Sequence, residues 1–144
     1  MSRPNWDEYF MCMAKHVSYR SPDPDTKHGC IIVDSENRIV STGYNGPIRG
    51  LPDSTFPWTR PEKYKWVIHA EDNAVLWARR DLQGCAAYVT GMPCTACMRR
   101  FIQAGITKVI YGNQQSTMVD KDEENTSRQM ALLCNVELGN HKLS

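Results

Sequence analysis

Two short segments of the 144-residue chain carry side chains able to hold a metal ion and move a proton: His69-Ala70-Glu71 and Pro93-Cys94-Thr95-Ala96-Cys97. Cys94 and Cys97 are three positions apart, so on a helix they share a face. Both belong to a first turn, where the positive end of the helix favours thiolates. Zinc prefers thiolate and imidazole donors, and His69 brings a nitrogen from the start of another helix. Three protein ligands leave one tetrahedral position open, which is the arrangement of a catalytic site. A closed structural site wants a fourth Cys or His, and only Cys85 lies near either segment. Glu71 supplies the remaining part. A carboxylate beside an activated water takes its proton and passes it on, and partial burial raises its pKa toward neutrality. A zinc-stabilised binding module or a pair of reduced core cysteines has no use for Glu71.

The elements that must position these groups follow from the periodicity. Trp6, Tyr9, Phe10, Met13 and Val17 recur at helical spacing, and the prolines at 22 and 24 end that helix. Cys30 to Val33 and Arg38 to Thr42 are β-rich runs joined by Asp34-Ser35-Glu36-Asn37, a hairpin. Gly43 to Lys65 is the longest irregular stretch, and a loop that long in a small domain is functional or disordered. A helix is predicted from about His69 to Arg80, a strand over Ala86 to Thr90, and a helix from about Cys94 to Ala104. A strand over Lys108 to Tyr111, a helix over Asp122 to Cys134 and a short strand over Val136 to Leu138 complete the chain. Alternating strands and helices imply right-handed crossovers and a partly parallel sheet covered on both faces, with ligands at strand ends. A single domain over residues 1–144 is expected.

Charge narrows the partners. Lys and Arg number 17 against 16 Asp and Glu. A groove for polymeric nucleic acid needs a clear basic excess, so the balance favours a small ligand. No apolar run is long enough to span a membrane. The N-terminus lacks the apolar core of a signal peptide, and the six cysteines read as thiols and metal ligands of a cytoplasmic protein.

The pattern H-x-E followed by P-C-x-x-C is the signature of zinc nucleobase deaminases. With it stand Trp6-Asp7-Glu8-Tyr9-Phe10-Met11, Arg20-Ser21 before Asp23-Pro24, Gly43-Tyr44-Asn45-Gly46, Leu51-Pro52 and Gln103-Ala104-Gly105-Ile106. From Trp6 to Leu138 the chain resembles the cytidine and deoxycytidylate deaminase superfamily, and within it the deoxycytidylate (dCMP) branch. That resemblance implies an α/β fold, a three-layer α/β/α sandwich around a mixed five-stranded sheet. It implies hydrolysis of dCMP to dUMP and ammonia, feeding thymidylate synthesis. His69, Cys94 and Cys97 would hold Zn²⁺ and Glu71 would shuttle the proton. Asn45 would bond the sugar, the Ala70 backbone the base near O2, and Arg20 and Ser21 are the candidates near the 5′-phosphate. It also implies a hexamer, activated by dCTP and inhibited by dTTP with Mg²⁺, through the loop Asn45 to Gly50. Asn45, Gly46, Arg49 and Gly50 are the effector candidates. Four features depart from the pattern: His28-Gly29-Cys30 opens the first strand, Pro47 comes one residue early, Asp72 follows the H-A-E motif, and Asn113-Gln114-Gln115-Ser116 lacks a tyrosine.

Other polar and aromatic groups have ordinary readings. Cys12, His16, His28 and Cys30 read as core cysteine and surface histidine rather than a second zinc site. Cys85, Cys134 and Trp77 read as core. Trp58 and Trp66 divide evenly between loop packing and a ligand wall. Arg79-Arg80 and Arg99-Arg100 read as solvated. A deaminase of another cytosine substrate or of a polynucleotide is the enzymatic alternative.

Overall fold

The computed structural model describes residues 2–142; Met1, Leu143 and Ser144 of the expected 1–144 domain lie outside the described residues. Among the described residues the chain forms helices α1 (Trp6–Ser18), α2 (Ala70–Ala78), α3 (Thr95–Gln103) and α4 (Lys121–Leu133). The strands are β1 (Gly29–Val33), β2 (Ile39–Tyr44), β3 (Gly46–Pro47), β4 (Val67–Ile68), β5 (Ala86–Val89), β6 (Lys108–Tyr111) and β7 (Glu137–Asn140). Five strands make one sheet in the order β2-β1-β5-β6-β7. β1 is antiparallel to both β2 and β5, while β5, β6 and β7 run parallel. This is the mixed five-stranded sheet expected.

Burial on both faces makes three layers. β1 is buried at every position. Its alternate residues split between two clusters, because successive strand side chains point to opposite faces. Ile31 and Val33 pack with Phe10, Met11 and Ala14 of α1 and with Tyr88. Cys30 and Ile32 pack with Ala70 and Ala74 of α2, Met98 and Phe101 of α3, and Ala131 of α4. One helix therefore covers one face and three cover the other.

The stretch from Gly43 to Lys65 is less irregular than its composition suggests. β2 runs on to Tyr44, β3 pairs Gly46 with Ile68 of β4, and two 3-10 turns follow at Asp53–Thr55 and Glu62–Lys65. The stretch is pinned by a buried ion pair. Lys63 Nζ lies 3.2 Å from Asp23 Oδ2, with the two side chains 4% and 3% exposed, and 3.3 Å from Asp25 Oδ2. Gly43 sets the approach of α2: a Cβ there would collide with the Ala70 carbonyl oxygen and the Ala74 nitrogen.

Several side chains differ from expectation. Trp77 is 48% exposed, because α2 buries Ala70, Glu71 and Ala74 and turns its other side outward. Cys134, at the end of α4, and Cys12, on α1, are exposed, whereas Cys30 and Cys85 are buried. No helix among the described residues is long and apolar enough to cross a membrane.

Candidate active site

His69 and Cys94 occupy the same kind of position in two helices. Each is the N-cap, in extended backbone conformation, and neither side chain caps its own helix. Their backbone carbonyls accept the first intrahelical bonds from Asn73 and Met98 at 3.0 and 2.9 Å, leaving imidazole and thiol free to point outward. The first amide of α3 is satisfied from elsewhere, since Thr95 N–H donates to Glu123 Oε1 of α4 at 2.8 Å. Two helix N-termini thus converge on one spot, and their dipoles favour negative charge there. Cys97 lies one turn into α3 on the face shared with Cys94.

The ligand atoms of His69, Cys94 and Cys97 all fall within 4.8 Å of one another. His69 Nδ1 is 3.3 Å from Cys97 Sγ and 3.6 Å from Cys94 Sγ. A tetrahedral zinc bonded to nitrogen and sulfur holds those atoms about 3.6 Å apart, so the donor set fits that ion. Hydrogen bonding among the three is strong. The Cys97 thiol holds Cys94 down at about 4 and is itself driven far upward, and Cys94 raises His69 to about 9. Cys97 also reaches Asp72 Oδ1 at 3.8 Å, and Asp72 is held by Arg100 at 2.8 Å.

Glu71 stands beside this cluster and is 8% exposed. Burial pushes its carboxyl up to about 7, against the smaller opposite pull of His69. A carboxyl that titrates near neutrality gives and takes protons with equal ease. Glu71, His69, Ala70 and Cys94 line one cavity, together with His28, Asn45, Tyr64 and the loop from Ser116 to Val119.

A sequence profile described as "Cytidine and deoxycytidylate deaminase zinc-binding region" matches residues 4–113. Human deoxycytidylate deaminase is 42% identical over 130 residues, covering 85% of this chain and 72% of the human one. The chain belongs to the cytidine and deoxycytidylate deaminase family. Among solved structures, dCMP deaminase from the cyanophage S-TIM5 in apo form is 25% identical, with a TM-score of 0.74, covering 97% of this chain and 100% of the phage one. The same phage enzyme in complex with dCMP and dUMP has a TM-score of 0.71, with coverage of 99% and 100%.

The fold of this deaminase family brings some sequence candidates together and separates others. Asn45 reaches the cavity. Its side-chain oxygen accepts the His28 backbone N–H at 2.8 Å, and its nitrogen donates to the Thr26 carbonyl at 3.0 Å. Ser21 and Arg20 do not line it. Ser21 is buried and donates its hydroxyl to the Asn45 backbone carbonyl at 2.7 Å. Arg20 lies in a separate groove with Gly46, Arg49, Trp77 and Arg79. There the guanidinium groups of Arg49 and Arg79 lie over the Trp77 ring, 4.4 and 4.8 Å from its centroid, and Arg79, like Arg80, is exposed. Gly50 is exposed, with a left-handed φ of 93°.

Trp58 and Trp66 do not line the cavity either. Trp58 packs on Phe56, 4.3 Å between centroids, and the Trp66 ring nitrogen donates to Glu62. Composition alone gave no hint that His28, Tyr64 and Thr117 face the cavity, or that the Tyr64 and Thr117 hydroxyls meet at 2.8 Å across its mouth. A signal for His28 existed in its unusual place opening the first strand.

Proposed function

We propose that this chain is a zinc-dependent dCMP deaminase that hydrolyses dCMP to dUMP and ammonia as one catalytic domain acting in the cytoplasm. The observation that carries the reading is the buried Glu71 carboxyl beside His69, Cys94 and Cys97 at the wall of one cavity. The phage relative's complex with dCMP and dUMP supports the substrate.

Bound zinc, held by His69, Cys94 and Cys97, would supply the Lewis acidity that makes water nucleophilic near neutral pH. The chain's own residues do the rest. The Ala70 N–H, at the positive end of α2, receives the base oxygen O2. Glu71 takes one proton from the attacking water and gives it to N3 of the ring, then takes the second from the new C4 hydroxyl and gives it to the amino group, so that C4=O forms as the C4–N bond breaks and ammonia leaves. Asn45 holds the sugar, and Ser21 acts on that contact only through the Asn45 backbone. The cavity walls keep bulk water from the reacting centre, which strengthens each of these contacts.

The groove holding Arg20, Gly46, Arg49 and Arg79 is the candidate effector site for dCTP and for dTTP with Mg²⁺, in a hexameric assembly that supplies dUMP for thymidylate synthesis. Three guanidinium groups suit a triphosphate, and two of them stack on Trp77. The test is loss of cytosine absorbance with dCMP, deoxycytidine, dCTP and single-stranded DNA as substrates, with and without dCTP effector. Turnover of dCMP that rises with dCTP supports the whole reading. Turnover indifferent to dCTP removes the effector site. Activity on another substrate with none on dCMP overturns the substrate.

A further inference from the structure

His28 lies directly before β1, and the antiparallel pairing of β1 with β5 sets it beside the end of β5, where the chain turns toward Cys94. Its Nδ1 is 3.4 Å from the Thr90 hydroxyl. That hydroxyl oxygen already accepts the Gly29 N–H at 3.1 Å. Thr90 is 4% exposed, and among the described residues its hydroxyl proton has no acceptor other than His28 Nδ1. A hydroxyl has one proton to give and a neutral imidazole one nitrogen to receive it. The network therefore runs from Gly29 N–H to Thr90 Oγ1 and from Thr90 O–H to His28 Nδ1. The ring's own proton then sits on Nε2. Burial, assisted by His69, pushes the His28 imidazole down to about 4, so the ring is neutral at working pH.

The ring lines the same cavity as Glu71. No fully buried side-chain nitrogen or oxygen among the described residues lacks a partner, so Nε2, which bonds no protein acceptor there, is not fully buried, and the ring it belongs to lines the cavity. The backbone N–H of His28 is fixed by the Asn45 side-chain oxygen at 2.8 Å, which keeps one lone pair for a second donor. A ring N–H donor and a carbonyl acceptor lining one cavity suit a hydroxyl, which accepts from the first and donates to the second. The pyrimidine is served by Glu71 and Ala70, and the remaining hydroxyl of a deoxynucleotide is on the pentose.

We propose that His28 is a specificity-determining residue whose Nε2–H donates to the pentose 3′-oxygen of the substrate, with Thr90 as the positioning residue that fixes its tautomer. The proposal rests on the reading of a cytosine deoxynucleotide as substrate.

The test is a cycle of two substrates, dCMP and its 2′,3′-dideoxy analogue, against wild type, His28→Val, His28→Gln and Thr90→Val, with zinc content and melting temperature measured for each. A site built to bond a hydroxyl discriminates strongly against the analogue lacking it. His28→Val lowers kcat/KM for dCMP about 10- to 100-fold, mostly through KM, and leaves the dideoxy analogue within about 2-fold. Gln, which keeps an N–H donor, restores part of the loss, and Thr90→Val shows a smaller loss on dCMP alone. Equal losses on both substrates, or no loss on either, overturn the proposal. ¹⁵N NMR of the free enzyme reads the tautomer directly, and a neutral Nδ1–H form of His28 also overturns it. A wild type inert on dCMP overturns the substrate reading instead, and the tautomer then still decides the donor.

Discussion

The side-chain oxygen of Asn45 accepts the backbone N–H of His28 at 2.8 Å, binding the end of β2 to the start of β1 where both meet the catalytic cavity. The same side chain donates to the Thr26 carbonyl. Asn45 is thus a brace and a cavity wall at once. Asn45→Ala leaves two backbone groups without their partners, at about 1–3 kcal/mol for each that stays buried. The expected outcome is a lower unfolding midpoint in urea together with a KM for dCMP raised more than kcat is lowered.

Glu71→Gln keeps the shape of the side chain and removes the proton carrier. Turnover falls by about 10²- to 10⁴-fold or more, while metal analysis still finds one zinc per chain. An active Gln variant would refute the proton-shuttle role.

The same variant has a pH signature in the metal-free protein. Burial raises the folded carboxyl from 4.5 to about 7. The folded state therefore holds a proton that the unfolded chain releases, and stability is lost as pH rises from 4.5 through 7. Glu71→Gln lacks this loss, so at pH 8 metal-free Glu71→Gln melts above metal-free wild type, and the gap narrows toward pH 4.5. Parallel melting curves across that range count against the assignment.

Cys97→Ala removes one of three donors and leaves a site too sparse for tight zinc. Because metal binding is coupled to folding, the variant should lose zinc on dialysis and melt at or below the temperature of chelator-treated wild type. Retention of stoichiometric zinc would place the metal elsewhere.

Lys63 and Asp23 form an ion pair that is nearly water-free. Lys63→Ala strands Asp23 without its cation and costs about 3–5 kcal/mol. The double variant Lys63→Met with Asp23→Leu recovers only part of that, because no buried charge is left but the Asp25 and Thr26 backbone N–H groups lose their acceptor, Asp23 Oδ1. Chemical denaturation of the three proteins measures the cycle.

Gly43→Ala pushes a methyl group into the backbone of α2 at Ala70 and Ala74. Overpacking of this kind costs about 1–3 kcal/mol. Since His69 and Glu71 ride on that helix terminus, activity should fall further than stability alone explains, and zinc affinity should weaken with it.

The sequence by itself pointed to the His69, Cys94 and Cys97 cluster, to Glu71 beside it and to the order of elements, because these are local. H-x-E and P-C-x-x-C are fixed spacings at helix starts, and strand and helix periods are read within a few residues. The alternation of elements also carried a partly parallel sheet covered on both faces, and the family resemblance carried the three-layer sandwich. Tertiary structure alone decided what surrounds the site. Antiparallel pairing of β1 with both β2 and β5 puts His28, Asn45 and Thr90 side by side although they are far apart along the chain. It sends Arg20 into the groove with Arg49, and it turns Trp77 outward because α2 presents only its alanine and glutamate side to the sheet. Residue type and spacing report what a side chain can do. Which neighbour it meets depends on strand register and helix rotation, and these are set by packing across the whole core.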